Sequence, residues 1–429
     1  MGEGSVPSPA VDSAGVPGAP LREAHAHVLA HGRAMEMVQL AGCGGVQEAL
    51  DAITQAASSG QSLVLAHGAR PEAWDPPAWP TLAALDQASG SATVAIWCFD
   101  YHAMMVNSAA LRRLGLDGSS PDPAAGQLGR TPDGRLTGVL YESAATAAWK
   151  ALEPKGIDPA ALRRAVDDLA RHGFVQVHDL KSQPALGPAL AELDRQEPLG
   201  VDLWLYPLVE DLPEVAKAHG AWSNERIRLA GGKIFVDGTL NSRTAWMLHP
   251  YADGRAEHPA GMRMLHDAQI DRAIDLCVGL GVQLAAHAIG DAAVRAVLDA
   301  VERRRPPRGT VRIEHAELID QADVPRFAEL GVIASVQPCH LLADIEALER
   351  ACPDRLDRVL PLRELIDSGL QPGRDLLMGS DTPIVRPDPL DSIVAATQRR
   401  RPSMAPQRAV APGQAIDQAQ AWACFTVRG

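Results

Sequence analysis

The sequence predicts an α/β protein: a (β/α)8 TIM barrel with an insertion domain after strand 1. Three observations predict it. Eight short strand-like runs, mostly apolar and several with β-branched residues, are interspersed with longer stretches of helical periodicity. The gap between the first two runs is far longer than a crossover needs, so it must hold structure of its own. The polar residues able to bind metal or move protons cluster at the C-terminal ends of the runs, where such barrels build their sites.

Taken in order, residues 1–20 are dominated by Gly, Pro, Ser and Ala and have no periodicity. They read as a flexible leader. The strand runs cover 21–27, 174–178, 203–207, 232–236, 282–287, 311–315, 332–337 and 376–380. Helical patterns fall at 159–172, 212–219, 268–280, 292–304, 322–330 and 361–368. Residues 40–155 read as the insertion, with strand-like runs at 62–66 and 93–99 and breaks at Pro71, Pro76, Pro77 and Pro80. Residues 21–429 then form one barrel unit carrying that insertion.

Composition narrows the function. The 429 residues are 46% hydrophobic and 22% charged, which excludes wholesale disorder. Lys+Arg 40 against Asp+Glu 53 leaves a net charge of −13, with no Lys/Arg block to grip a phosphate backbone or an anionic membrane. The six cysteines form no C-x-x-C pair and read as buried thiols in a reducing compartment. No run of about 18 apolar residues suggests a membrane span, and no basic-then-apolar start suggests secretion. A cytoplasmic protein acting on a small molecule is expected.

The strand ends carry the chemistry. The first ends in His25-Ala26-His27, and residues i and i+2 of a strand share a face, so both imidazoles can reach one ion. The fourth carries Lys233, the fifth His287, the sixth His315, and Asp381 follows the eighth. Taken singly, each suits a structural role. Taken together, nitrogen and carboxylate donors at five strand ends suit a divalent transition metal, zinc first.

The same stretches resemble the metal-dependent amidohydrolase superfamily, and more narrowly its amidohydrolase 3 (YtcJ-like) family. The similarity runs through Asp100-Tyr101-His102 and Val106-Asn107-Ser108, through Gly138-Val139-Leu140-Tyr141-Glu142, and through 233–245 from Lys233 to Ala245. It continues through His287-Ala288-Ile289-Gly290-Asp291, Arg312-Ile313-Glu314-His315-Ala316, Ser335-Val336-Gln337-Pro338 with His340 and Asp344, and Gly379-Ser380-Asp381-Thr382-Pro383. The resemblance implies that His25, His27, Lys233, His287, His315 and Asp381 hold one or two zinc ions, with Lys233 carboxylated in the two-metal form. It also implies hydrolysis of a non-peptide carbon–nitrogen bond in an amide, formamide or cyclic amide. Asp381 would be the general acid/base, and His315 or His340 would steady the oxyanion. Asp100, His102, Asn107, Arg243, Trp246, Gln337 and His340 are the substrate-binding candidates.

Two departures stand out. Glu23 occupies the place two residues before the H-x-H where the family usually has Asp, and the family's usual β-sandwich domain is expected to be largely absent. Apolar surface left by that absence would favour a homodimer. The competing functions are a deaminase of the same superfamily, for which Asp291 stands where a Glu is usual, and a non-catalytic binding protein on the same scaffold.

Overall fold

A computed structural model describes residues 19–254 and 256–427. Residues 1–18 of the expected leader lie outside the described residues. Fifteen strands follow along the described chain. β1 is Leu21–Ala26. A second group follows it: β2 Val38–Gln39, β3 Leu63–Ala69, β4 Thr93–Cys98, β5 Ala103–Val106, β6 Gly126–Arg130 and β7 Leu136–Glu142. The remainder are β8 Phe174–Ser182, β9 Asp202–Pro207, β10 Ile227–Leu229, β11 Gly231–Phe235, β12 Gln283–Ala288, β13 Val311–His315, β14 Ile333–Val336 and β15 Leu376–Met378.

All eight predicted strand runs are strands, and all pair in parallel. They lie in two sheets of order β1-β8-β9-β10 and β11-β12-β13-β14-β15. Isolated parallel bridges connect the two sheets at both edges, Ala26 to Thr382 and Leu208 to Lys233. The short β10 lacked a sequence signal because its three residues follow β9 on the same sheet edge without a turn cluster of their own.

Helices cover these sheets because their apolar residues repeat on one face. In Pro159–Arg171, Leu162, Ala165, Val166 and Leu169 are buried, and Asp158 caps the start by accepting from the Ala160 amide. In Asp291–Arg304, Val294, Val297, Leu298 and Val301 join the same core. That core is continuous from Leu21 to Phe425.

Between β1 and β8 the chain builds a third sheet, of order β2-β3-β4-β5-β7-β6. Strand alternation gives it two apolar faces. Val94 and Ile96 of β4 pack with Ile53 and Leu85 on one side, while Ala95 and Trp97 pack with Leu140 and Ala148 on the other. The sequence revealed β3 and β4 here. It hid β6, which is polar and glycine-bearing, and β7, which Gly138 interrupts at φ 90°.

No helix among the described residues is long and apolar enough to cross a membrane. All six cysteines are free thiols, and five of them are buried.

Gly231 opens β11 where the two parallel sheets meet. A Cβ there would lie 2.4 Å from the Gln283 carbonyl and 2.4 Å from the ring of the buried Tyr206. Gly231→Ala should therefore destabilise the protein by about 1–3 kcal/mol through overpacking. The measurement is the denaturant midpoint, and an unchanged midpoint would mean the seam tolerates the methyl group.

Candidate metal centre

Strand ends from both parallel sheets meet at one cavity of about 730 Å³. His25, His27, Lys233, His287, His315, His340 and Asp381 all line it. The H-x-H alternation works as the strand period requires: His25 Nε2 and His27 Nε2 lie 3.4 and 2.9 Å from Asp381 Oδ1. The outer nitrogens are held from behind. His25 Nδ1 is 2.6 Å from Glu314 Oε2, and His27 Nδ1 bonds the Leu180 carbonyl.

Asp381 is positioned by backbone as well as by side chains. Its φ is 63°, and its amide donates to the His25 carbonyl at 2.7 Å. Glu23 links the same two segments, since its Oε1 accepts from the amides of His25 and Ser380, both at 2.9 Å. A Cβ at residue 379 would sit 2.3 Å from that oxygen, so Gly379 is what allows the longer Glu23 carboxylate to fit. Burial raises the Glu23 carboxyl to about 8.

Lys233 and His315 supply the least satisfied atoms. Lys233 is fully buried on β11 and its Nζ makes no hydrogen bond; it lies 5.0 Å from the Phe235 ring centre. Burial lowers this ammonium to about 8. His315 ends β13 at φ 71°, 3% exposed, and its Nδ1 has no partner. His287 Nε2 lies 3.1 Å from the Gly238 carbonyl.

Behind these groups runs a buried ionic chain. Arg312 Nε donates to Glu314 Oε1, and Glu314 in turn meets His25. Burial pushes the Glu314 carboxyl up, but Arg312 and His25 outweigh it and hold the group well below the usual carboxylate range. Asp381 is likewise held low, against its burial, by His25, His27 and His340. Burial pulls His25 down to about 4 and takes His287 and His315 well below the ordinary imidazole value.

Neutral imidazoles with free lone pairs, beside an ionised carboxylate, are the protonation states that a divalent cation needs. One donor atom each from His25, His315 and Asp381 lies within 4.8 Å of the others. The donor set and the orphaned buried atoms of His315 and Lys233 therefore fit a divalent metal. A second set, His315, Glu317 and His340, meets the same spacing. His340 differs from the other imidazoles. Burial lowers it, but the bond to Glu317 and the nearby Asp381 raise it to about 9.

The substrate candidates divide. Asp100, His102 and His340 line the cavity. Asp100 accepts from Thr239 Oγ1 at 2.9 Å, and His102 Nδ1 pairs with Glu142 at 2.7 Å. The other four lie outside the lining of this cavity. Asn107 is buried at a helix start, and its amide group is consumed by Val94, Ala110, Ser89 and Ala92. Arg243 faces a separate, smaller pocket and is clamped by Asp253 at 2.6 Å. Trp246 stacks under Arg263 and gives its amide to Asp237. Gln337 is buried outside the cavity lining, with Nε2 3.3 Å from the Ser335 carbonyl. Each stands next to a site motif in the chain; Asn107 and Arg243 are satisfied locally, whereas the buried Gln337 Oε1 has no hydrogen-bond partner.

The sequence reading gave no role to Glu314, Glu317, Asp237 or Lys181. Asp237 accepts the amides of Ile289, Gly290 and Trp246, tying the loop after β11 to the end of β12. The alternation Arg312-x-Glu314 on one strand face was the available signal for the ionic chain.

The amidohydrolase family profile matches residues 18–429. The Bacillus subtilis (strain 168) protein YtcJ is 28% identical over 88% of this chain and 72% of its own. The N-substituted formamide deformylase of Arthrobacter pascens is 26% identical over 76% of this chain and 62% of its own. A crystal structure of a metal-dependent hydrolase from Pyrococcus horikoshii OT3 superposes with a TM-score of 0.73 at 25% identity, covering 94% of this chain and 78% of that one.

Glu314→Gln keeps the shape behind His25 and removes the charge. It should weaken divalent-metal affinity by about 10- to 100-fold, the range for a partner that orients a ligand. Competition with a chromophoric chelator reads this directly, and wild-type affinity would remove Glu314 from the site.

Proposed function

The chain belongs to the amidohydrolase family, and on that premise we propose that it hydrolyses an amide, formamide or cyclic amide by metal-assisted attack of water, with Asp381 as general acid/base. The observation that carries this reading is the placement of Asp381. Its Oδ1 lies between the two imidazoles of the H-x-H, beside the unpartnered His315 Nδ1 in the same cavity.

Our reading of the scaffold is that the two parallel sheets are the halves of one (β/α)8 barrel, with 40–155 as its insertion. The parallel bridges at both edges support it. His25, His27, His287, His315 and Asp381 would hold the metal, zinc by donor chemistry. The fully buried Lys233, without a hydrogen-bond partner, suits carboxylation, because a carbamate offers oxygens where an ammonium offers none. A divalent ion bound there supplies Lewis acidity and makes water a nucleophile near neutral pH.

The protein's own groups account for the remaining steps. Asp381, held ionised, takes the water proton and later delivers it to the departing nitrogen. His340, kept protonated by Glu317 and Asp381, donates to the developing oxyanion. His102, stacked on His287 with ring centres 5.5 Å apart, forms part of the cavity wall beside the ligand imidazoles. Deamination is disfavoured because Asp291 lies outside the cavity lining, its carboxylate accepting the Leu248 amide at 2.7 Å.

Asp381→Asn should lower kcat on N-formyl, N-acyl or cyclic-amide substrates by about 10²–10⁴-fold, the range for a lost general base. Metal content, measured in the same samples, should remain. Wild-type turnover by this variant would exclude the role. Ammonia release from aminopurines, with no amide cleaved, would exclude the reaction class.

A further inference from the structure

Beyond the metal centre, the cavity is lined by Leu29, Met37 and Trp149 and by four cations, Arg33, Lys150, Lys155 and Lys181, of which Lys181 shares the Phe235 ring with the metal-site lysine. Lys181 lies near the end of β8. The β8–β9 register shifts between Leu180 and Ser182, so Lys181 is a bulged residue, and its φ is 66°. A lysine in the left-handed region costs backbone energy that a glycine would not. The bulge does two things at once. It turns the Leu180 carbonyl toward His27 Nδ1, and it lays the Lys181 side chain along the cavity wall.

Lys181 Nζ sits 5.3 Å from the centre of the Phe235 ring, and Lys233 Nζ sits 5.0 Å from the same centre. The outer cation is therefore no farther from the metal-site lysine than one aromatic ring and its two contacts. The charged groups facing Lys181 are Lys150, Glu142 and Glu153. Both carboxylates are engaged elsewhere, Glu142 by His102 and Thr244, and Glu153 by Arg33. Among the described residues no carboxylate forms an ion pair with Lys181 or Lys150, although both line the cavity. An exposed cation with no ion-pair partner, at the wall of the cavity and beside the apolar Trp149, Met37 and Leu29, suits recognition of an anionic ligand group.

We propose that Lys181 binds the carboxylate of the substrate, so that the enzyme selects amides carrying an acidic group, such as N-formyl and N-acyl amino acids, over neutral amides. This rests on the amide-hydrolase reading above. The scissile bond lies at the metal end, the carboxylate lies beyond Phe235, and the apolar remainder packs against Trp149, Met37 and Leu29.

The test compares kcat/KM for N-formylphenylalanine and for N-formylphenethylamine, which lacks only the carboxylate. Wild type should favour the acid. In Lys181→Met the acid-over-neutral ratio should fall by about 10- to 100-fold, the range for one charge-assisted contact, chiefly through KM of the acid. Lys181→Arg should largely retain the ratio. Lys181→Gln carries the comparison if the Met variant does not fold. Equal ratios in wild type and the neutral variants would overturn the assignment.

Calorimetric binding of 3-phenylpropionate to the metal-loaded protein separates this inference from the reaction class. Weakening by about 10- to 100-fold in Lys181→Met supports Lys181 even if neither amide is cleaved. Equal binding in the two proteins overturns the assignment whatever the activity.

Discussion

The site depends on a charge pair placed where water cannot reach it. Arg312 is 1% exposed and Glu314 is fully buried. Taking two ions out of water costs several kcal/mol each, so such a pair persists only when every donor is met. Here the guanidinium also reaches the Ala24 carbonyl at 2.6 Å, Ser335 Oγ at 2.8 Å and His178 Nδ1 at 2.7 Å. The pair thereby ties β13 to β1, β8 and β14. Its output is a fixed tautomer: with Nδ1 occupied by Glu314, His25 presents Nε2 toward Asp381. Well-packed apolar residues could match the stability of the pair, but they could not orient the ring.

The rest of the centre follows from similar compensation. Glu23 and Gly379 form a size-matched couple, a longer carboxylate opposite a residue with no side chain, and together they hold the Asp381 segment against β1. Asp237 holds the end of β12 through three backbone amides. Left-handed backbone at His315 and Asp381, neither of them glycine, is retained where surrounding hydrogen bonds and packing fix it.

Much of this was legible in the sequence. The eight predicted parallel strands were visible because most are short apolar runs, five of them with β-branched residues, set between helical patterns. The H-x-H pair was visible because strand alternation alone puts both rings on one face. The ionic chain was not, because an Arg and a Glu on a strand ordinarily mark an exposed face. Their burial is decided by Ala24, His178 and Ser335, all distant in the chain. Asn107, Arg243, Trp246 and Gln337 are close in sequence to site motifs but lie outside the lining of the main cavity, a placement that sequence proximity does not reveal. Lys181 gave no signal at all, since an exposed lysine is commonplace in sequence and the register shift against β9 that sets it at the cavity wall is not legible there.

The cavity draws on two parts of the chain. The parallel strands supply the metal end, while the third sheet supplies Trp97, Asp100 and His102 to the wall. The wall of the cavity is therefore shared between the parallel strands and the segment around the third sheet. The central claim is that the buried imidazoles and Asp381 form a divalent-metal centre required for turnover. Elemental analysis of the purified protein before and after chelation, paired with amide hydrolysis, tests it most directly. The account predicts bound divalent metal, loss of hydrolysis with its removal, and recovery when zinc is restored. Full amide hydrolysis by metal-stripped protein would contradict it.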